Sequence, residues 1–175
     1  MKALIITGKN VQDHEFIYPY YRLQEEGFKV IVATEDGKET MGILGTKIPV
    51  DMPIQKVNTD EFDLLVLPGG AKAMEYIRQN KIILDIIHQW DKERKIIAAI
   101  CHASQLLISA KIIRGKKISG YYSIKDDINN AGANYIDAPF VTDGNLVTSP
   151  HYKHLGPWMK EVFRVYKEKY EDINN

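Results

Sequence analysis

Apolar residues along this chain gather in short unbroken runs, and the runs are separated by stretches with helical spacing. Leu4 to Thr7 reads as a buried strand. Glu15 to Glu26 follows as a helix with Phe16, Tyr20 and Leu23 on one face, and Gly27 ends it. Lys29 to Ala33 is a second strand. From residue 36 to 60 the pattern breaks up around Gly37, Gly42, Gly45, Pro49 and Pro53, which predicts short antiparallel strands. Phe62 to Leu67 is a third central strand, stopped by Pro68-Gly69-Gly70. Lys81 to Lys92 is a helix with Ile82, Ile83, Ile86, Ile87 and Trp90 as its apolar set.

Beyond it, Ile96 to Ile100 is a fourth apolar run, and His102 to Ile108 has helical spacing. A short strand over Lys117 to Tyr121 and a short helix over Lys125 to Ala131 come next. Phe140 to Thr142 and Asn145 to Thr148 pair around a hairpin turn at Asp143-Gly144-Asn145. An amphipathic helix, Leu155 to Tyr170, closes the chain. No repeat, low-complexity run or linker interrupts it, so residues 1–175 are expected to form one domain.

Fully apolar strands alternating with helices imply a mainly parallel sheet covered on both faces, an α/β sandwich. Sites in such sheets lie beyond the carboxyl ends of the strands. Four segments are expected to converge there: Thr7 to Asp13, Pro68 to Glu75, Cys101-His102, and Ser149 to His154.

Composition narrows the function classes. Lys+Arg and Asp+Glu balance at 23 each, which argues against a nucleic-acid or anionic-membrane surface. No apolar run is long enough to cross a membrane, and Met1 to Thr7 is too short for a signal peptide. A lone cysteine forms no internal disulfide, so a reducing cytoplasm is the simplest compartment.

That cysteine, Cys101, sits between the fourth apolar run and the helical stretch after it. A strand, a sharp turn and a helix lift a side chain out of the sheet and set a helix N-terminus beside it. The corner predicts positive φ at Cys101, a lowered thiol pKa and a nucleophilic thiolate, with His102 adjacent. The plainer alternative is a small apolar residue packed in the core.

Residues across nearly the whole chain carry a family resemblance: Glu15-Phe16-Ile17-Tyr18-Pro19-Tyr20, Val66-Leu67-Pro68-Gly69-Gly70, Ala99-Ile100-Cys101-His102, Ile124-Lys125-Asp126-Asp127, Asn130-Ala131-Gly132-Ala133 and Asp143-Gly144-Asn145-Leu146-Val147. The sequence resembles the ThiJ/PfpI family. The resemblance implies a flavodoxin-like three-layer sandwich with a nucleophile elbow, related to the glutamine amidotransferase domain. It implies Cys101 as nucleophile beside His102, no metal or organic cofactor, and assembly into homodimers or larger rings. Glu75 matches an acid that reaches a neighbouring copy's histidine. Gly69 and Gly70 resemble the turn whose N–H groups, with that of His102, form an oxyanion hole. Tyr121 matches an aromatic residue near the pocket.

Two positions depart from the family. Gln12 stands where a glutamate is usual, which would leave an amide at the sulfur and no titrating proton. The alternative is that Gln12 is an exposed loop residue and that Asp13 or Glu15 takes its place. His151, in Ser149-Pro150-His151-Tyr152-Lys153-His154, occupies a turn where an arginine is usual, and is either a second base or a solvated side chain. His14 and His88 are assigned no role.

Three function classes follow. A cysteine hydrolase or glyoxalase-type enzyme acting on small carbonyl or peptide substrates suits the thiol, the histidine and the glycine pair best. A redox or stress protein with a reversibly oxidised Cys101 is the alternative. A flavodoxin-like ligand-binding module is weakest, because Thr7-Gly8-Lys9-Asn10 is no phosphate-cradling loop.

Overall fold

The computed structural model describes residues 1–170. Its sheet is built from β1 (Lys2–Ile6), β2 (Lys29–Thr34), β5 (Met52–Pro53), β6 (Leu64–Leu67), β7 (Ile96–Ile100), β10 (Val141–Asp143) and β11 (Leu146–Ser149). The order is β10-β11-β7-β6-β1-β2-β5. Every pairing is parallel except the β10–β11 hairpin. The central strands are fully buried, as residues covered on both faces must be. Helices α1 (Asp13–Glu25) and α6 (Leu155–Tyr170) pack together on the sheet. The helices α2 (Ala71–Ile77), α3 (Lys81–Lys92), α4 (Ser104–Ser109) and α5 (Lys125–Asn130) form another connected group. This is the mainly parallel α/β sandwich that the apolar runs predict, in the flavodoxin-like form that the family resemblance implies.

The differences are local. In the irregular region β3 (Thr40–Met41) and β4 (Lys47–Ile48) are antiparallel as expected, but β5 joins the main sheet parallel to β2. β5 is an edge strand, where Pro53 forfeits no needed N–H. The seven-residue α2 is too short to show a periodic pattern. β8 (Lys117–Ile118) pairs with the two-residue β9 (Asn134–Tyr135), which carries no strand signal of its own. Ile82 of α3 is exposed, while Ile83, Ile86, Ile87 and Trp90 are buried. Among the described residues no helix is long and apolar enough to cross a membrane.

Candidate active site around Cys101

β7 ends at Ile100, and the chain then turns through Cys101 at φ 62° into a 3-10 turn over Cys101–Ala103 and on into α4. A left-handed non-glycine residue costs about 1–2 kcal/mol. The turn is held by the Tyr121 N–H, which donates to the Cys101 carbonyl at 3.1 Å. One turn further on, buried Ser104 donates its hydroxyl to the Ser119 carbonyl at 2.9 Å. The sulfur faces the N–H groups of His102 and Gly70. It also lies 3.3 Å from His102 Nδ1. Cys101 itself is only 6% exposed.

Glu15, fully buried in the first turn of α1, supplies the carboxyl that faces this thiol. The Gly69 N–H donates to its Oε2 at 2.8 Å. Its Oε1 is buried with no hydrogen-bond partner, and the carboxyl as a whole interacts with the Cys101 side chain. Gly69 is the wedge between the two. A Cβ there would lie 2.5 Å from Glu15 Oε2 and 2.9 Å from Cys101 Cβ. Gly70, at φ +101°, brings the end of β6 against α1, with its own missing Cβ only 2.6 Å from the Gln12 nitrogen. The Gln12 N–H donates to the Gly69 carbonyl at 3.2 Å and completes the stitch.

Gln12 therefore does not fill the place at the sulfur. Its Oε1 accepts the His14 N–H at 3.1 Å, so the side chain caps α1. The physical reason is helical phase. A capping side chain folds back over the first turn. Glu15 instead begins the buried stripe continued by Pro19 and Leu23 at four-residue spacing.

Burial pushes the Glu15 carboxyl up from its ordinary 4.5 to about 8, against the lowering effect of Cys101 and of the Gly69 N–H. The thiol is pushed up as well, first by burial and then by the Glu15 charge, with the His102 and Gly70 N–H groups opposing. This reverses the expected low thiol pKa. The helix behind Cys101 is short, and the charge that acts on the buried thiol is that of an acid, Glu15, rather than of a cation. Near neutral pH both groups hold their protons. The first proton lost belongs to the pair, and moving one proton inside it exchanges thiol and carboxylate for thiolate and carboxylic acid.

Rings extend outward from the thiol. His102 stacks on Tyr121 at 4.6 Å between centroids, and Tyr121 meets Tyr122 at 4.2 Å and His151 at 5.8 Å. His151 meets Tyr152 at 4.0 Å, which stacks on His14 at 5.2 Å. Burial holds the imidazoles of His102 and His151 below the usual histidine range, and the charges of Lys153 and His154 add to this at His151. The Tyr121 phenol, bonded to the Tyr122 hydroxyl at 2.7 Å, is pushed up to about 12.

A buried thiol and carboxyl at a strand-to-helix elbow on this sheet accord with the family model that the sequence matches over residues 1–165, described as the DJ-1/PfpI family. The chain belongs to the DJ-1/PfpI family. Among its relatives, Deglycase PH1704 of Pyrococcus horikoshii is 44% identical over 167 residues, covering 95% of this chain and all of the relative. Deglycase PfpI of Pyrococcus furiosus is 42% identical with the same coverage. The crystal structure of Drosophila melanogaster DJ-1beta superposes with a TM-score of 0.86 at 28% identity, covering 95% of this chain and 89% of that one.

Within this DJ-1/PfpI fold the other predicted site residues fall into two groups. His102, Gly70, Tyr121 and His151 gather around or beside Cys101. The Gly69 N–H is taken by Glu15, which removes it from the expected oxyanion hole while that bond stands. Glu75 lies exposed on α2, paired with Lys72 at 2.8 Å rather than with any histidine of its own chain. His151 Nδ1 accepts the Lys153 N–H at 3.1 Å, so that ring is fixed by its own turn. Glu15, the alternative to Gln12 in the sequence, is the residue at the sulfur, and His14, assigned no role there, joins the ring chain. For Glu15 the signal was present: a carboxylate at the head of an apolar stripe. Among the described residues no cluster of His, Cys, Asp or Glu could hold a metal ion.

Proposed function

We propose that this chain is a cysteine-dependent enzyme for small reactive carbonyls, with Cys101 as nucleophile and Glu15 as proton carrier. One observation carries the reading: a carboxyl raised to about 8 by burial faces the only thiol, so acid and nucleophile are exchangeable by one proton. With a 2-oxoaldehyde the thiolate adds to the aldehyde carbon, forming the S–C bond, while Glu15 gives its proton to the carbonyl oxygen. The Glu15 carboxylate then removes the hydrogen from the carbon bearing sulfur and returns it to the neighbouring carbon. The hydroxyl proton of the first carbon passes to the oxygen of the second, leaving a thioester beside a new hydroxyl. Water hydrolyses the resulting thioester, releasing a 2-hydroxy acid and the thiol. The deglycase names of the Pyrococcus relatives are in line with carbonyl chemistry at a thiol.

Peptide or amide hydrolysis is less well served, because the Gly69 N–H is spent on Glu15. The reading includes no organic cofactor. It includes a homodimer or larger ring in which one copy's Glu75 reaches another copy's His102; light scattering at micromolar concentration tests this, and a monomer refutes it. The deciding experiment follows lactate formation from methylglyoxal. The native protein turns over, and Cys101→Ala abolishes turnover. Reversible oxidation of Cys101 by low peroxide with no turnover would replace this reading with a redox role.

A further inference from the structure

We propose that the ring chain Tyr121, His151 and Tyr152 is a specificity surface that seats a planar aromatic group of the substrate, free of positive charge, beside Cys101. The inference rests on the thiol chemistry proposed above and adds the kind of substituent next to the reacting carbon.

Position comes first. His102 joins the chain to the sulfur, with Nδ1 3.3 Å away, and each following ring lies 4.0–5.8 Å from the last. His102 with Tyr121 and Tyr121 with His151 are within 30° of parallel, at 29° and 25°. A flat group bound to a carbon at the sulfur thus meets ring faces on its way out. Of these rings Tyr152 is 39% exposed, and Tyr121 and His151 are half-buried.

Charge then selects the occupant. Ring faces alone would also welcome a cation such as a guanidinium. Here Lys153 and His154 stand beside His151 and oppose further positive charge. Burial lowers the imidazole pKa of His102 and of His151, which leaves Lys153 as the positive charge that an anionic substituent could meet. Glu15, neutral below about 8, supplies no counter-charge to a cation. A flat aromatic group without positive charge suits these ring faces, and stacking of this kind is worth about two- to tenfold in affinity.

The test uses the thiol itself, so it does not need turnover. Iodoacetanilide and iodoacetamide both alkylate sulfur by displacing iodide, and they differ by one phenyl ring. Mass spectrometry gives their rate ratio at Cys101, with N-acetylcysteine as the free-thiol standard. The expected ratio in the native protein is at least threefold above the standard. It falls to the standard in Tyr121→Leu and Tyr152→Leu and is kept in Tyr152→Phe, which retains the ring. A native ratio equal to the standard overturns the proposal, as does a ratio that survives both leucine variants. A raised, ring-dependent ratio without methylglyoxal turnover would sink the enzyme reading and leave this surface standing.

Discussion

Two carboxylates sit two residues apart in the first turn of α1, both buried, and their surroundings make them opposites. Asp13 accepts the Leu44 N–H at 2.8 Å and the Thr46 N–H at 2.9 Å, one on each oxygen. Burial raises its pKa, but these bonds with Leu44 and Thr46 together outweigh that and hold it below the usual range. Glu15 has one N–H and a sulfur, and burial wins. The first carboxylate is a fastener: it pins the β3–β4 hairpin, whose tip carries exposed Ile43 and Leu44. The second is a proton held at a thiol. Depth of burial, far greater around the Glu15 carboxyl, and the number of donors, greater at Asp13, together separate the structural role from the chemical one here.

The strongest way to break this comparison is to remove the mobile proton. Glu15→Gln keeps size and one acceptor, and methylglyoxal turnover should fall about a hundred- to ten-thousand-fold. Turnover within a factor of a few of the native rate would show that Glu15 carries no proton in the reaction.

Stability against pH sharpens it next. Glu15 is ionised in the unfolded chain above 4.5 and protonated in the folded one up to about 8, so folding binds a proton in that window. Native stability should therefore be full below 4.5 and decline as pH rises towards 8, by an order-of-magnitude total of about 5 kcal/mol from that shift. Glu15→Gln should flatten this part of the curve and melt higher than the native protein at pH 8. Parallel Tm–pH curves for the two proteins would refute the raised pKa.

Asp13 should behave in reverse. Asp13→Ala strands the Leu44 and Thr46 N–H groups and should cost about 2–3 kcal/mol in denaturant unfolding. A loss under about 0.5 kcal/mol would mean that the hairpin is held by something else. The smallest effect belongs to Gln12. Gln12→Ala removes a helix cap and should cost about 1 kcal/mol or less, and Gln12→Glu should leave turnover unchanged. Faster turnover in Gln12→Glu would return that position to the site.

Much of this was legible in the sequence. The long apolar runs marked β1, β2, β6, β7, α3 and α6, and the elbow at Cys101 with its positive φ followed from strand, thiol and helix in succession. What escaped was short or depended on phase. α2 and β9 are too brief to generate a period. Choosing between Gln12 and Glu15 required knowing which residue ends the loop and which begins the helix, and helix boundaries are set by caps that spacing alone does not fix. The thiol pKa runs opposite to expectation because burial raises it, and the Glu15 charge from a distant segment adds to the rise.

That distance has a consequence for how the protein is made. Glu15 emerges early from the ribosome, whereas Cys101 leaves only after β6, which stands between β1 and β7 in the sheet. At about 5–20 residues per second, seconds pass before the two can meet. During that time the nascent carboxyl is an ordinary solvated acid, and the thiol does not yet exist. Proton sharing thus begins only when β7 docks on β6, so the chemistry of this chain waits on a strand that joins the sheet after β1, β2 and β6 and before β11 and β10 are made.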